Sequence, residues 1–559
     1  MGKRSRRLEK KEKRLKRVFK TVNGTLSTAA AGFGFVNSAD GTEVFIPPSA
    51  INGALDGDTV EAEITFEHDE RGPVGRISRI LNRGREFMVC ELTGPRTARP
   101  LNRNISQEIR ISGSLKGAKK GDWVNLRLLD SGSKFTESLR GSVEEPLEKS
   151  GTVYGDLLAV AKEFDMPGPY SPELEAVAAG LEPSSSVERE DLTSLFTVTI
   201  DPKDAKDFDD ALSIDDDEKE WRIGVHIADV AAYIRPGTKL DKEARKRAFS
   251  SYIPGMFRPM LPRPLTSRIS LRQDADSLAH SVILRVRKRD GAIVSVRRVF
   301  STVRVDHRLN YDEVQEAIEG RAPAQWSPEL VAAVGMLVKA VRKMRARRKR
   351  REEFLSFDTA EIRVLCSEET HEILGIERRE QRESDELVEE CMLAANSAVA
   401  EEVSTGTFAG LYRIHPEPEP EKLEEFSLFV STVLKRMPGD LSNRKICNSF
   451  LDSLPDDHRK YVITSNFLRA MARASYSAEP GLHYGLGKTR YSHFTSPIRR
   501  YSDLVLHQQL HAAAENTRLR SKKTLTTIAL ECSKREERND EAYFRLEAGA
   551  VRWGSRCPA

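Results

Sequence analysis

Residues 199–212 read Thr-Ile-Asp-Pro-Lys-Asp-Ala-Lys-Asp-Phe-Asp-Asp-Ala-Leu. A β-branched, strand-like segment runs directly into a loop with five aspartates in ten residues: Asp201, Asp204, Asp207, Asp209 and Asp210. Apolar residues flank and interrupt these acids, which favours a partly buried loop. Because carboxylates this close repel one another, the segment predicts that a cation joins them.

Two alternatives to a metal-binding loop are a solvated acidic loop and an EF-hand. We assign the solvated type to Asp215–Asp217, where polar residues surround the acids. An EF-hand needs a glycine at its sixth position and a glutamate at its twelfth, and this loop has neither. A carboxylate set without His or Cys favours magnesium, with manganese as a substitute, over zinc. Two such ions held by aspartates are a usual means of hydrolysing a phosphodiester.

A second cluster lies at residues 491–503, Tyr-Ser-His-Phe-Thr-Ser-Pro-Ile-Arg-Arg-Tyr-Ser-Asp. Thr495 or Ser496 before Pro497 predicts a helix cap with proline in the first turn. Arg499 and Arg500 would then lie near a helix N-terminus, where amides and guanidinium groups together favour phosphate. A surface helix with structural arginines is the alternative.

The N-terminal part of the chain differs in character from this region. Residues 1–20 hold eleven Lys or Arg against two Glu, in a chain of net charge only +4, and form either a solvated tail or a phosphate-attracting arm. Short alternating segments punctuated by glycine predict a small β-barrel over 21–80 and a second over 81–145. Aromatics on neighbouring strands of the first barrel, at Phe33, Phe35 and Phe45, are either core or a base-stacking platform.

The rest of the chain predicts a larger domain. Residues 146–190 read as a connector, and from 191 to 510 strand-like runs alternate with long amphipathic helices, such as 330–350 and 386–403. Residues 511–559 predict a C-terminal helical segment. The predicted fold class is therefore multidomain α+β, with two N-terminal barrels of the oligonucleotide-binding (OB) type before a mixed α/β domain.

Composition excludes several classes of protein. The 559 residues are 31% charged and contain no apolar run near the ~18 residues of a membrane span. The basic start has no apolar segment behind it, so it does not predict a secretory signal, and a cytoplasmic location is expected. Six separated cysteines without a CxxC pair predict free thiols.

Over residues 24–545 the chain resembles the ribonuclease II / ribonuclease R (RNB) family of exoribonucleases. The resemblance rests on the two clusters above and on segments 224–230, 252–254, 308–312, 357–358, 387–396 and 411–415. It implies two cold-shock barrels before an RNB catalytic domain, and processive, magnesium-dependent degradation of single-stranded RNA from the 3′ end to 5′-mononucleotides. The family continues into a C-terminal barrel, which we expect to be missing here because residues 548–559 do not resemble its start.

The resemblance also implies roles for individual residues. Asp201, Asp207, Asp209 and Asp210 would bind magnesium, with Asp209 central to catalysis, and Arg499 would contact phosphate at the scissile bond. Tyr252 and Phe357 would clamp the stacked bases, and Tyr311 and Glu390 would select ribose. Arg500 is a further candidate RNA contact, from the helix-cap prediction above.

Alternatives accompany these assignments. Tyr311 could be a packing residue at a helix start and Glu390 a surface acid, and His226 is expected to be a core histidine. The expected partner is single-stranded RNA, and the chain is expected to be monomeric. The rival hypothesis is an RNA-binding protein that keeps the enzyme scaffold with little catalysis.

Overall fold

The computed structural model describes residues 20–28, 32–38, 42–69, 72–101, 105, 107–129, 139–147, 153–351, 354–355, 361–367 and 373–554. The basic tail up to residue 19 and the predicted clamp residue Phe357 lie outside these ranges. The chain divides into two compact units, one built from 1–167, 366–373 and 542–559, and the other from 168–365 and 374–541.

The first unit contains two closed five-stranded barrels, which confirms the two predicted OB-type barrels. The strands of the first barrel are β1 (Lys20–Thr28), β2 (Gly34–Ser38), β3 (Glu43–Ile46), β4 (Thr59–Asp69) and β5 (Gly72–Asn82), in the order β1-β2-β3-β5-β4. Alternate residues such as Leu26, Val36 and Val44 face its core and are fully buried. Gly24 permits close strand pairing, because a Cβ there would lie 2.3 Å from the carbonyl oxygen of Asn37.

The second barrel repeats the architecture with the same circular strand order, written here in the opposite direction. Its strands are β6 (Phe87–Gly94), β7 (Thr97–Pro100), β8 (Ile109–Ile111), β9 (Trp123–Leu129) and β10 (Arg140–Pro146), in the order β10-β8-β7-β6-β9. Helix α1 (Val153–Glu163) follows it in the same unit.

The second unit is organised around a seven-stranded sheet. Its strands are β11 (Glu190–Asp191), β12 (Thr197–Asp201), β13 (Asp210–Asp216), β14 (Glu220–Ala228), β17 (Asp276–Arg287), β18 (Ile293–Arg304) and β19 (His307–Asn310), in the order β11-β18-β17-β14-β13-β12-β19. All neighbours are antiparallel except the two edge pairs, β11 with β18 and β12 with β19. The central strand β14 is almost wholly buried, so this sheet is the core of the unit.

Helices and short ribbons surround this sheet, as the mixed α/β prediction requires. The helices are α2 (Pro172–Ala179), α3 (Lys239–Arg247), α4 (Arg263–Ile269), α5 (Tyr311–Ile318), α6 (Pro328–Arg351), α7 (Glu383–Thr405), α8 (Pro420–Leu434), α9 (Arg444–Asp452), α10 (His458–Ala470), α11 (Tyr501–Ala514) and α12 (Lys522–Gly554). The ribbons are β15 (Ser251–Ile253) with β16 (Met256–Arg258), β20 (Glu361–Cys366) with β21 (Ile373–Arg379), and β22 (Tyr412–Ile414) with β23 (Ser475–Ser477). The helices predicted at 330–350 and 386–403 are confirmed as α6 and α7.

Helix α11 is buried around its circumference from Tyr501 to Ala512. Its polar side chains are hydrogen-bonded, as buried polar groups require. Gln508 donates to the carbonyl of Ile234 and to Asp241, for example, and His511 pairs with Asp229. The residue that begins this helix, Tyr501, directly follows the predicted arginine pair.

The described residues bear on two features expected from the composition, membrane-spanning segments and cysteine pairing. Within them, none of the helices combines the length and apolarity that a bilayer crossing needs. Five cysteines are free thiols, as predicted: Cys90, Cys366, Cys391, Cys447 and Cys532. The sixth, Cys557, lies outside the described ranges.

Candidate active site

The acidic loop joins two neighbouring strands of the central sheet. Strand β12 ends at Asp201 and strand β13 begins at Asp210, and the two strands pair antiparallel with Val198 opposite Leu212. The first and last acids of the loop therefore lie at the same end of adjacent strands. This topology brings together carboxylates that are nine positions apart in sequence.

Three of these carboxylates are removed from water and lie close enough to repel one another. Asp209 is 7% exposed, and Asp201 and Asp210 are half-buried. Removal from water raises the pKa of each to about 7, although Arg499 lowers the pKa of Asp209 and Asp210. Asp201 and Asp210 repel each other, and Asp209 adds to the repulsion on Asp201. Among the described residues, Asp201 Oδ2 is buried without a hydrogen-bond partner.

Asp207 is in a different environment from these three. Its Oδ1 accepts a hydrogen bond from Arg263 Nη1 at 2.9 Å, so its charge already has a partner. Arg308 fixes the middle of the loop by donating to the carbonyl of Ala205 at 2.9 Å while its guanidinium lies 4.4 Å from the centroid of the Phe208 ring. The loop is thus held in place by cations from two separate segments.

The donor set fits a hard divalent cation. It offers only carboxylate oxygens, and its buried negative charge would be relieved by a positive ion. In the part of the chain that is described, however, no three His, Cys, Asp or Glu side chains are grouped closely enough to hold a metal ion. The fit therefore rests on charge and donor type and not on a preformed cage.

The arginine cluster meets the acidic loop through Asp209. Asp209 Oδ1 accepts a hydrogen bond from the backbone N–H of Ile498 at 2.8 Å, and Arg499 Nε lies 3.9 Å from Asp209 Oδ2. The Arg499 side chain is 45% exposed, so it remains accessible to a phosphate. The two sequence clusters are therefore parts of one site.

Arg500 lies in a buried ion pair instead of at the surface. Its Nη2 and Nε donate to Asp503 at 2.7 and 2.9 Å, and Asp503 is fully buried. The helix cap predicted at Thr495 or Ser496 is wrong, because α11 begins at Tyr501 and the Ser496 N–H donates to Asp503. Arg500 stands at the N-cap position without a capping hydrogen bond from its side chain, and Asp503 in the first turn instead holds Ser496 and Arg500.

Tyr252 lies close to the same centre. Two backbone hydrogen bonds, from Ser250 N–H to the Arg499 carbonyl at 2.9 Å and from Tyr501 N–H to the Ala248 carbonyl at 2.8 Å, fix the segment before it. The ring is 56% exposed and lies 5.0 Å from the Phe257 ring. Partial removal from water, together with the charges of Asp209 and Asp207, raises the pKa of Tyr252 to about 12 against the opposing effect of Arg499.

The register of the sheet places Tyr311 beside the acidic loop. Strands β12 and β19 run parallel with Asp201 opposite Asn310, and Asn310 caps helix α5, which begins at Tyr311. Tyr311 is half-buried and packs against the core, which supports a packing contribution at this position. The neighbouring Asp312 pairs with Lys203 of the acidic loop at 2.8 Å.

Glu390 lies on α7 and is 4% exposed, so the surface-acid alternative is wrong. Both of its oxygens accept hydrogen bonds from Arg348 Nε, at 2.9 and 3.0 Å. The Glu390 charge is therefore paired inside the protein, by a partner 42 positions away in sequence. Burial, and then the charges of Glu390 and Asp210, raise the pKa of Cys391 to about 12.

His226 is a core histidine, as expected. It is fully buried on β14, and its two ring nitrogens lie 2.9 Å from Ser213 Oγ and 2.7 Å from Ser281 Oγ. Burial lowers its pKa to about 4, which keeps the imidazole neutral.

Comparison with known proteins identifies the family. A family profile described as the RNB domain matches residues 189–516, and one described as the ribonuclease B OB domain matches residues 24–80. The first match alone covers more than half of the chain. The chain belongs to the RNB family.

Individual relatives of this RNB protein agree with the assignment. The ribonuclease R of Aquifex aeolicus is 31% identical over 541 residues, which cover 93% of this chain and 75% of the relative. The solved structure of Mycoplasma genitalium RNase R in complex with ribose methylated single-stranded RNA has a TM-score of 0.83 at 22% identity, and covers 94% of this chain and 85% of that one. Yeast Ssd1, described as a pseudonuclease, has a TM-score of 0.72 at 18% identity, over 98% and 75% of the two chains. At these identities the structural matches show the fold alone.

Sequence reasoning missed the cations and the acid that hold the RNB site together. Arg263, Arg308, Arg348 and Asp503 each fix a predicted residue or its loop by an ion pair or hydrogen bond. The three arginines act across 56, 103 and 42 positions of sequence, so no local pattern could have found them. Asp503 is the exception, because an acid three residues after Arg500 at a helix start is a readable capping signal.

Proposed function

We propose that the protein is a hydrolytic exoribonuclease that shortens single-stranded RNA from its 3′ end, processively, and releases 5′-mononucleotides. The observation that carries the proposal is the juxtaposition of three mutually repelling, largely buried carboxylates with the exposed guanidinium of Arg499. A site used only to bind RNA gains nothing from concentrated negative charge beside a polyanion. Membership of the RNB family, with a relative named ribonuclease R, supports the same conclusion.

The proposed cofactor is magnesium, with manganese as a substitute, held by Asp201, Asp209 and Asp210. Asp207 is a fourth candidate ligand that must share its charge with Arg263. A pair of such cations, when bound, activates the attacking water and stabilises the leaving oxygen of a phosphodiester. The hydrogen bond from Ile498 N–H orients the Asp209 carboxylate, and leaves its other oxygen beside Arg499.

Arg499 is proposed to bind the phosphate at the scissile bond. Its side chain is 45% exposed beside Asp209, whereas Arg263 is paired with Asp207 and Arg500 is neutralised by Asp503. A guanidinium can donate two hydrogen bonds to one phosphate and so stabilise the charge that develops during displacement. Arg500 supports this by fixing the turn from which Arg499 projects.

Exposed and half-buried aromatics provide places for bases to stack. The Tyr252 ring is exposed beside Phe257, next to the proposed centre. In the first barrel, Phe33, Phe35 and Phe45 are half-buried with ring centroids 5.5 to 5.9 Å apart. Rings of the barrel core would be fully buried, so the half-buried rings support the stacking alternative. Stacking on such rings holds bases without reading their sequence.

The proposal is tested by incubating a 3′-tailed RNA and a blunt duplex RNA with the full chain and magnesium, and resolving the products by length. We expect mononucleotides and a shortening ladder from the tailed RNA, none in the presence of EDTA, and recovery with manganese. Internal cleavage, or products that retain a 3′-phosphate, would contradict the proposed reaction.

An RNA-binding protein without catalysis is the second candidate, and the likeness of the fold to a pseudonuclease makes it a specific one. The fold alone does not separate the two candidates, but the retained carboxylates favour the enzyme. In the same experiment, tight RNA binding with no product at any magnesium or manganese concentration would establish the second candidate.

A further inference from the structure

Arg263 forms an ion pair with Asp207, the fourth candidate metal ligand. Its Nη1 lies 2.9 Å from Asp207 Oδ1, and the two side chains are 46% and 13% exposed. The guanidinium thus gives this carboxylate the positive charge that a divalent cation would otherwise supply. Because both cations need the same carboxylate and repel each other, Arg263 competes with the metal for Asp207.

The pair of Arg263 with Asp207 can be opened at little cost. Since solvent reaches the guanidinium, the attraction is screened and contributes little to stability. The pair of Arg500 with Asp503 is different, because its side chains are only 15% and 0% exposed. Breaking that pair would leave a buried charge alone. Of these two arginines, Arg263 is therefore the one that can change its partner.

The backbone around the pair is fixed, so an exchange of partners can occur by movement of the Arg263 side chain alone. Arg263 begins helix α4, and the residues that follow this helix hold the acidic loop. The Phe208 N–H donates to Ser270 Oγ at 3.1 Å, and the Leu271 N–H donates to the Phe208 carbonyl at 3.0 Å. Helix α4 and the loop thus stay together when the ion pair opens.

The guanidinium has donors that its pair with Asp207 leaves unused. An arginine carries five N–H donors, and within the described residues the Arg263 side chain makes one hydrogen bond, to Asp207. Two parallel N–H groups of a guanidinium can bind two oxygens of one phosphate, which an ammonium group cannot do. Arg263 is therefore suited to hold a phosphate once it has left Asp207.

We propose that Arg263 is a further RNA-binding residue whose availability depends on the metal. Arg263 holds Asp207 in the absence of a divalent cation, releases the carboxylate to the cation, and then donates to a phosphate of the RNA. This inference rests on the proposed function. The metal and the RNA then strengthen each other's binding by the same factor, as linkage between two binding equilibria requires.

The first test measures manganese binding without RNA, from the paramagnetic resonance signal of the free ion. Arg263→Gln removes the competing charge, so we expect it to tighten manganese binding at least about threefold. Arg268→Gln is the matched control, because Arg268 lies on the same helix but pairs with Glu182. It should leave the affinity within about 1.5-fold of wild type. Unchanged or weaker manganese binding by Arg263→Gln would overturn the inference.

The second test measures the affinity for single-stranded RNA in EDTA, where Asp207 keeps its pair. Arg263→Gln alone should weaken RNA binding by no more than about twofold, because the guanidinium is engaged. Asp207→Ala releases Arg263 and should tighten RNA binding. Adding Arg263→Gln to Asp207→Ala should then weaken binding at least about fivefold, which is a non-additive effect. Arg268→Gln should have the same small effect with and without Asp207→Ala.

A purely structural ion pair would give the opposite pattern. Once Asp207 is removed, the loss of Arg263 would cost nothing further, and that result would overturn the inference. Equal losses from Arg263→Gln in the two backgrounds would show that Arg263 binds RNA without changing its partner, and would overturn it as well. If Arg263→Gln does not fold, Arg263→Lys keeps the charge and loses the fork, and should weaken RNA binding of Asp207→Ala at least about threefold.

These binding measurements separate the inference from the proposed function, because neither requires hydrolysis. Tighter manganese binding together with the non-additive RNA loss would support the inference even in a chain that releases no mononucleotides. A chain that releases mononucleotides but lacks either effect would overturn the inference and leave the proposed function in place.

Discussion

The two ends of strand β13 carry acids in opposite environments. At its start, Asp210 joins Asp201 and Asp209 in a largely buried group whose pKa values are raised to about 7. At its end, Asp215, Asp216 and Asp217 have side chains 49% to 67% exposed, and they pair with Arg222, Lys288 and Arg285. A density of negative charge is therefore not what distinguishes the candidate site. Burial that the neighbouring guanidinium of Arg499 does not fully offset distinguishes it.

The largest effect on turnover is expected from removing the Asp209 charge at the start of this strand. Removal of a charge at the other end of the strand is the control. Asp209→Asn should lower turnover of single-stranded RNA by about 10³-fold or more, roughly 4 kcal/mol, because the amide keeps the shape but loses the charge that would bind the metal. Affinity for RNA should be unchanged or higher, since repulsion of phosphate falls. Asp216→Asn is the matched control and should turn over within about twofold of wild type. Near-normal turnover by Asp209→Asn would remove the acidic loop from the reaction.

The contrast between buried and exposed groups extends to histidine, and predicts a loss of stability in acid. Burial lowers the pKa of His226 and His507 to about 4 and of His483 to about 3, so the folded state keeps them neutral. The unfolded chain takes up these protons near pH 6.5, so stability falls as the pH drops from about 6.5 to about 4. The loss is up to about 3 kcal/mol for His226.

Calorimetric melting at several pH values between 4 and 7 measures this loss. His226→Gln should flatten the dependence of the melting temperature on pH relative to wild type. His458→Gln, at an exposed position, should leave the dependence unchanged. Parallel curves for wild type and His226→Gln would mean that His226 is not a source of acid sensitivity.

A third test measures the cost of the buried charge directly. In EDTA at pH 8, Asp209→Asn should raise the free energy of unfolding by about 1 to 3 kcal/mol, because it removes a charge that folding takes out of water. Magnesium should then raise the melting temperature of wild type more than that of the variant. Asp216→Asn should change stability little, since its ion pair is screened by solvent. A destabilised Asp209→Asn in EDTA would show that the Asp209 charge is already compensated.

The smallest effect on turnover is expected at Asp207, which lies in the acidic loop like Asp209 but is paired with a cation like Asp215–Asp217. Asp207 belongs to the acidic loop but is paired with Arg263. Asp207→Asn should therefore lower turnover by about tenfold, roughly 1.4 kcal/mol, and much less than Asp209→Asn. Magnesium titrations of both variants measure the difference. Equal losses would mean that the ion pair with Arg263 does not reduce the contribution of Asp207.

The elements that local patterns determine could be predicted from the sequence. Glycine-punctuated alternation predicted the barrels, and the contrast between apolar and polar neighbours separated the acidic loop from Asp215–Asp217. The predicted start of α11 was wrong because residues 497–499 form a turn whose Ile498 N–H donates to Asp209, and the helix begins only at Tyr501. The burial of Glu390 and Arg500 was missed because each is neutralised by another charge, and for Glu390 that charge lies 42 positions away.

The hydrogen bond from Ile498 N–H to Asp209 spans 289 positions of the chain. A nascent chain on the ribosome can assemble the acidic loop when β12 and β13 have emerged, but it lacks Ile498 until 289 further residues beyond Asp209 have been added. Contacts that are this distant in sequence form late during vectorial synthesis. The messenger and ribosomal RNA that surround the growing chain are therefore exposed to an incomplete centre throughout the synthesis of those 289 residues.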